Sequence, residues 1–274
     1  MKNLLIHIVD ASDFETRVEL AFDLAERLGA HLVGLHTLTP PSMPEPVIGR
    51  GASAVLLAER TERNRKLSAD LKARFREASR RRGLPCEWRA EEGEPAAVLA
   101  LHSRYADLVI ATLPQRTTFE EFLIGPPIDR LALVVACPVL FVPTAFVQRQ
   151  TAHRVVVGWK SGRSCARALR DSVPVLRLAD DVTIITIRDV DADHLHGAEI
   201  ATSLARHGVK ATVRQDFDSR GGDAGAELLA HAATMNADLV VMGAYGHSRL
   251  RELVLGGATQ KALNDARIPL LMSH

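Results

Sequence analysis

The chain has 274 residues, 47% of them hydrophobic and 4% aromatic, with 34 Lys+Arg against 33 Asp+Glu. A charge balance this even excludes the large excess of one sign that marks nucleic-acid or membrane-surface binding, so neither partner is expected. Three well-separated cysteines, Cys86, Cys137 and Cys165, with no C-x-x-C pair, exclude a disulfide framework and a redox or zinc motif.

The elements read in chain order as alternating strand and helix. A short apolar run over 3–9, ending at Asp10, is a first strand, too short for a signal peptide. Val18, Ala21, Leu24, Ala25 and Leu28 recur at helical spacing, and Gly29 closes that helix. A strand over 31–37 follows. The charged segment 51–83 is then an extended helix, with Leu67, Leu71, Phe75 and Ala78 as its buried stripe. Its run Arg80-Arg81-Arg82 reads as a solvated face. Strands are expected at 85–91, 107–112 and 139–142, and Glu94-Pro95 marks a helix start between the first two. The longest apolar run, 131–142, is broken by Pro138 and too short to span a membrane, so a cytoplasmic location is expected.

After a linker at 144–153 the pattern repeats, with strands expected at 154–159, 181–188, 210–217, 238–243 and 269–272. Pro174 is expected to interrupt or kink the first helix of this second copy. A short helix falls near 192–207, and Asp223 marks the start of the next. The repeat is visible residue by residue. At an offset of 150, Leu5-Ile6-His7 faces Val155-Val156-Val157, Arg17 faces Arg167 and Leu28 faces Leu178. At an offset of 131, Ala106-Asp107-Leu108-Val109 faces Ala237-Asp238-Leu239-Val240, Gly125 faces Gly256 and Pro138 faces Pro269. The change of offset places the extra residues of copy one in its long helix. The expected fold class is α/β: two repeated, open, five-stranded, parallel-sheet, Rossmann-like domains, residues 1–146 and 152–274, with helices on both faces.

Open parallel sheets bind ligands outside the carboxyl ends of the strands, where the winding reverses. One such strand end is marked in copy two. After Leu239-Val240-Val241-Met242 come Gly243-Ala244-Tyr245-Gly246, nine further residues, and Gly256-Gly257-Ala258-Thr259 leading into a helix. Gly243 and Gly246 let the backbone turn and approach a ligand without a Cβ. Gly256 and Gly257 precede a helix whose free N–H groups favour an anion. A phosphate is the natural guest, and His247 inside the loop is within sequence reach of it.

Other motifs carry less. His194-Leu195-His196 lacks a third ligand at recognisable spacing, and no metal is expected. Ser161-Gly162-Arg163-Ser164 has no paired base and acid, so no catalytic residue is assigned. There is no Walker sequence and no acidic cluster for magnesium; at most a weak ATPase or autophosphorylating activity is expected.

The chain resembles a tandem universal stress protein, whose nucleotide-binding members carry G-x2-G-x9-G-(S/T) after the fourth strand. Gly243, Gly246 and Gly256 match the glycines. The resemblance implies a strand order of 3-2-1-4-5 in each copy, pairing of the two copies through their fifth strands as an internal pseudo-dimer, and ATP or a related adenine nucleotide as ligand. A further homodimer is left open. The candidate nucleotide-binding residues are Gly243, Gly246, Gly256, Gly257, Thr259, Lys160, Gly158 and His247.

Each copy departs from the family pattern differently. Gly257 stands where a Ser or Thr is usual, with Thr259 two residues later as a replacement hydroxyl. The Val-Asp pair that ends the family's first strand is kept as Val9-Asp10 but is Trp159-Lys160 in copy two. Lys160 either adds charge beside the phosphates or fills the adenine position. Copy one has Thr112 and Gln115 for the first two glycines, retains Gly125, and follows it with Pro126 and Pro127. Copy one is therefore expected to be structural. The alternative to a nucleotide switch is a tandem scaffold that works through protein contacts alone.

Overall fold

The computed structural model describes residues 1–10, 14–38, 50–113, 131–188, 197–218, 224–244 and 257–274. In the first half these form β1 (Asn3–Ile8), α1 (Phe14–Leu28), β2 (His31–Leu38), α2 (Arg50–Arg82), β3 (Cys86–Glu92), α3 (Pro95–His102), β4 (Leu108–Leu113), α4 (Leu131–Val134) and β5 (Val139–Pro143). The second half holds β6 (Arg154–Trp159), α5 (Arg163–Leu176), β7 (Asp181–Arg188), α6 (Gly197–Arg206), β8 (Thr212–Asp218), α7 (Ala224–Thr234), β9 (Leu239–Gly243), α8 (Gly257–Asp265) and β10 (Leu270–Ser273).

The strands join into one ten-stranded sheet, ordered β3-β2-β1-β4-β5-β10-β9-β6-β7-β8. Each half has the order 3-2-1-4-5, and every pairing within a half is parallel. The seam between the halves is antiparallel: Leu270, Leu271 and Met272 of β10 pair with Phe141, Leu140 and Val139 of β5. The fifth strands therefore meet inside one chain. Central strands such as β4 and β5 are buried along their whole length, which is why they read as unbroken apolar runs rather than alternating ones. Two apolar clusters cover the two sheet faces.

Local signals account for the helix limits. Gly29, at φ +57°, ends α1, and the Ala30 amide returns to the Ala25 carbonyl at 2.8 Å, the arrangement that a left-handed glycine permits. The Glu94 carboxylate caps α3 by accepting from the amides of Ala96 (3.0 Å) and Ala97 (2.7 Å), and Pro95 stands at the first helical position. Asp223, the expected start of α7, lies outside the described residues. On α2, Leu71, Phe75 and Ala78 are buried and Leu67 packs partly against the same cluster, as the apolar spacing requires. Pro174 departs from expectation as an interruption: α5 continues past it to Leu176. It sits in the last turn, where only the final residues depend on the hydrogen bond it removes.

Two features were not visible in the sequence pattern. The recurring Ala-Asp-Leu-Val motif carries an aspartate that ties the fourth strand of each half to the start of the first. Asp107 accepts from the amides of Lys2 and Asn3, and Asp238 from those of His153 (3.1 Å) and Arg154 (3.2 Å). These hydrogen bonds hold the Asp107 carboxyl below its usual range, whereas burial outweighs them at Asp238 and raises it.

The linker, in turn, is anchored in the core near its two ends, while residues 147–150 are exposed. Phe146, Thr151 and Ala152 are buried, and Ala152 adopts φ +63°. Arg27 of α1 reaches across the seam and donates to the carbonyls of Thr151 (2.6 Å), Ala152 (3.0 Å) and Leu178 (3.2 Å). Gln150 adds a bond to Asp23 at 3.1 Å. Arg27→Met keeps the aliphatic stem but strands these carbonyls, and should lower stability by about 2 kcal/mol in urea denaturation.

Candidate functional site

The winding reverses in the second half between β6 and β9, which run side by side with Val155, Val156 and Val157 opposite Leu239, Val240 and Val241. Gly243 is the last residue of β9, so the glycine segment leaves the sheet at the reversal. The need for glycine there is steric. A Cβ on Gly243 would lie 2.6 Å from the Cys165 amide nitrogen and 2.7 Å from the Ser164 carbonyl carbon, so the first turn of α5 rests directly on the end of β9. Backbone cannot yield as a flexible side chain would.

The other candidate residues fall as follows. Lys160 is exposed immediately beyond β6, one strand from Gly243. Gly257 opens α8, and Thr259 is buried in its first turn. Gly158 is buried within β6, and the space where its Cβ would stand is held by Leu228 of α7, 2.5 Å away. Packing alone therefore explains that glycine. Gly246, His247 and Gly256 lie outside the described residues. Trp159, between Gly158 and Lys160, is 6% exposed, and its Nε1 has no hydrogen-bond partner among the described residues.

The equivalent reversal in the first half, between β1 and β4, is spanned by the chain's own polar groups. Arg17 of α1, its side chain 6% exposed, donates from Nη1 to Thr112 Oγ1 on β4, and its Nη2 stands 3.6 Å from Asp10 beyond β1. Thr112 occupies the place of Gly243, so a hydroxyl that a guanidinium can use stands where the second half needs bare backbone. Sequence pairing aligned Arg17 with Arg167 without distinguishing their roles. Arg167 turns instead to the His274 carbonyl at 3.1 Å and lies 3.8 Å from Asp171, which accepts from Ser273 Oγ at 2.8 Å.

Two buried histidines stand beside this crossing. His7 Nε2 is 2.9 Å from Thr37 Oγ1, and His36 Nδ1 is 2.7 Å from the Ile8 carbonyl with its ring stacked on Trp88. Burial, helped by the nearby His36 and Arg17, lowers the His7 pKa to about 4. His7 is therefore neutral at pH 7.

The remaining sequence motifs resolve into structure. The basic run on α2 clasps α1: Arg82 bonds Glu19 (2.7 Å) and Glu26 (3.3 Å), Arg81 bonds Glu19 (3.0 Å), and Arg74 bonds Glu15. Among the described residues no group of three His, Cys, Asp or Glu could hold a metal, and no helix is long and apolar enough to cross a membrane. His194 and His196 lie outside the described residues. The three cysteines are free, and burial pushes the Cys137 thiol up to about 12.

This architecture, two Rossmann-like halves fused through their fifth strands with a glycine segment at one reversal, defines a tandem α/β protein of the universal stress type. The model of the universal stress protein family matches residues 4–143 and again 151–274, and the chain belongs to that family. A universal stress protein of Synechocystis sp. is 26% identical over 165 residues, a stretch covering 60% of this chain and 56% of that relative's length. A universal stress protein structure from Archaeoglobus fulgidus superposes with a TM-score of 0.72 at 15% identity, covering 98% of this chain and 94% of that one. A Pseudomonas aeruginosa structure gives 0.59 at 15% identity, covering 99% and 92%. At these identities the structures show a shared fold.

Two outcomes follow from the packing. Gly243→Ala should cost about 1–3 kcal/mol in thermal unfolding, because α5 must shift to admit the methyl. For His7, the unfolded chain takes a proton near pH 6.5 that the folded chain resists until about 4. Stability should therefore fall by up to about 3 kcal/mol as pH drops through that window, and the His7→Gln variant should flatten the fall when urea midpoints are compared across pH.

Proposed function

We propose that the second half, residues 152–274, binds ATP or a related adenine nucleotide, and that occupancy acts as a conformational or interaction switch. The first half, residues 1–146, is then a structural partner whose crevice Arg17 closes. One observation carries this reading: the family's glycine pattern begins at Gly243, the residue that ends β9 at the strand-order reversal. Anionic groups are favoured there for two reasons. α8 begins at Gly257 and turns the positive end of its dipole that way, and Lys160 stands at the end of β6, the strand beside β9. Gly246 and Gly256 complete the backbone cradle, Thr259 supplies the hydroxyl displaced from position 257, and His247 is a further contact to phosphate. The segment joins β9 to α8, so ligand contacts along it would alter the surface at that end of the sheet.

A scaffold that works through protein contacts is the second reading, favoured by Trp159-Lys160 and Gly257 where family members carry Val-Asp and a hydroxyl residue. Isothermal titration separates the two. ATP and AMP should bind saturably, and Gly246→Val should weaken both at least about tenfold. Titration heats that the variant leaves unchanged, or no binding by the native chain, would overturn the nucleotide reading. In the second case, the absence of co-purified nucleotide in native mass spectrometry would favour the scaffold.

A further inference from the structure

Among the described residues the exposed large apolar side chains are Val9, Leu101, Tyr105, Val134 and Val147, none of them in the second half. Three of these lie together. Leu101 stands on α3, Tyr105 in the tighter turn Ser103–Tyr105 that continues it, and Val134 on α4. Just beyond α4 the Ala136 amide donates to Ser103 Oγ at 3.0 Å, which joins the two elements. α3 itself carries no Asp, Glu, Lys or Arg. A helix that is apolar all round is normally covered on every side. Here the sheet covers one side only: Leu99 is buried, whereas Ala97 and Leu101 face outward. α7, the matching helix of the second half, carries Glu227 and exposes His231 and Thr234 instead.

The outward row of α3 is symmetric about its own middle. Glu94, Ala97, Leu101 and Arg104 follow one another at spacings of three, four and three residues, and all four are exposed. At helical geometry they fall within about 80° of one another around the axis. Ala97 with Leu101, and Glu94 with Arg104, are both centred on position 99. A two-fold axis at that level runs two such helices antiparallel. It sets Ala97 against the partner's Leu101 and Glu94 against the partner's Arg104, each contact made twice. The small side chain admits the large one, opposite charges close both ends, and the two helix dipoles oppose each other. Glu94 keeps its bonds to the Ala96 and Ala97 amides in this arrangement, because a carboxylate has acceptor sites beyond those two.

We propose that the outward face of α3 is the interface at which two copies of this chain pair as a homodimer, with the helices antiparallel across a two-fold axis and Tyr105 and Val134 at the flanks. The occupant is a second copy because the row complements itself in both charge and size. This pairing leaves the β5–β10 seam untouched and holds whether or not the second half binds a nucleotide. A patch built on one short helix supports a weak dimer, with a Kd on the order of micromolar.

Sedimentation velocity of the full chain from about 1 to 200 µM should show the monomer passing into a species of twice its mass. L101Q removes the central apolar contact from both copies, and R104E sets a carboxylate against the partner's Glu94 on both sides of the axis. Each should weaken association at least about tenfold. E94K should do the same through the reverse clash. An equal mixture of R104E and E94K restores opposite charges at both ends and should recover most of the association, which loss of the helix cap by itself does not predict. A native chain that stays monomeric throughout, whatever other protein it retains, overturns the proposal. So does a dimer that L101Q and R104E leave as tight as before, or dissociation by folded single variants with no recovery in the mixture. Should circular dichroism show E94K unfolded, L101Q and R104E, both at exposed positions, decide.

Discussion

Antiparallel pairing of β5 with β10 is the contact on which the rest of the architecture depends. A five-stranded open sheet has two edges, and each edge offers unpaired backbone groups to any passing strand. Joining the fifth strands turns two such sheets into one and, among the described residues, leaves β3 and β8 at the rims. β3 is protected by its charge: Glu87, Arg89, Glu91 and Glu92 line it. The seam also brings the end of α1 against the linker, which is why Arg27 can hold the carbonyls of Thr151, Ala152 and Leu178 together. The connection between the halves is thus anchored in the core near both its ends, with residues 147–150 exposed between them.

Once the two halves are fixed in one sheet, their crevices can diverge. The same topological position is served by different chemistry in each. At the end of the fourth strand, Thr112 engages Arg17, whereas Gly243 admits the first turn of α5. At the end of the first strand, Val9 and Asp10 become Trp159 and Lys160. The aligned arginines point to different partners, Arg17 into its crevice and Arg167 to the end of β10. Duplication retains the frame because frame residues make contacts that every copy needs, such as the aspartates Asp107 and Asp238 that hold the first strand to the fourth. Crevice residues carry no such obligation, and one half could lose its glycines while the other kept them.

Much of this was legible in the residues themselves. Apolar runs of strand length, separated by amphipathic stretches, determined the alternation of β and α, and the expected strand limits fall within two residues of the observed ones. The two offsets in the repeat determined that the halves share one topology and that the extra length belongs to α2. Gly243 was read as a close approach to a ligand; in the structure the backbone of the first turn of α5 meets the place of its missing Cβ.

What a linear pattern cannot carry is which side chains meet across the sheet. The anchoring of the linker by Arg27, the Arg17–Thr112 contact and the filling of the Gly158 space by Leu228 all join residues far apart in the chain. Propensity and spacing act over a few residues and so decide secondary structure. The packing of helices on a ten-stranded sheet acts over the whole chain, and only that packing decided that Arg17 joins Thr112 and that the Trp159 N–H is buried.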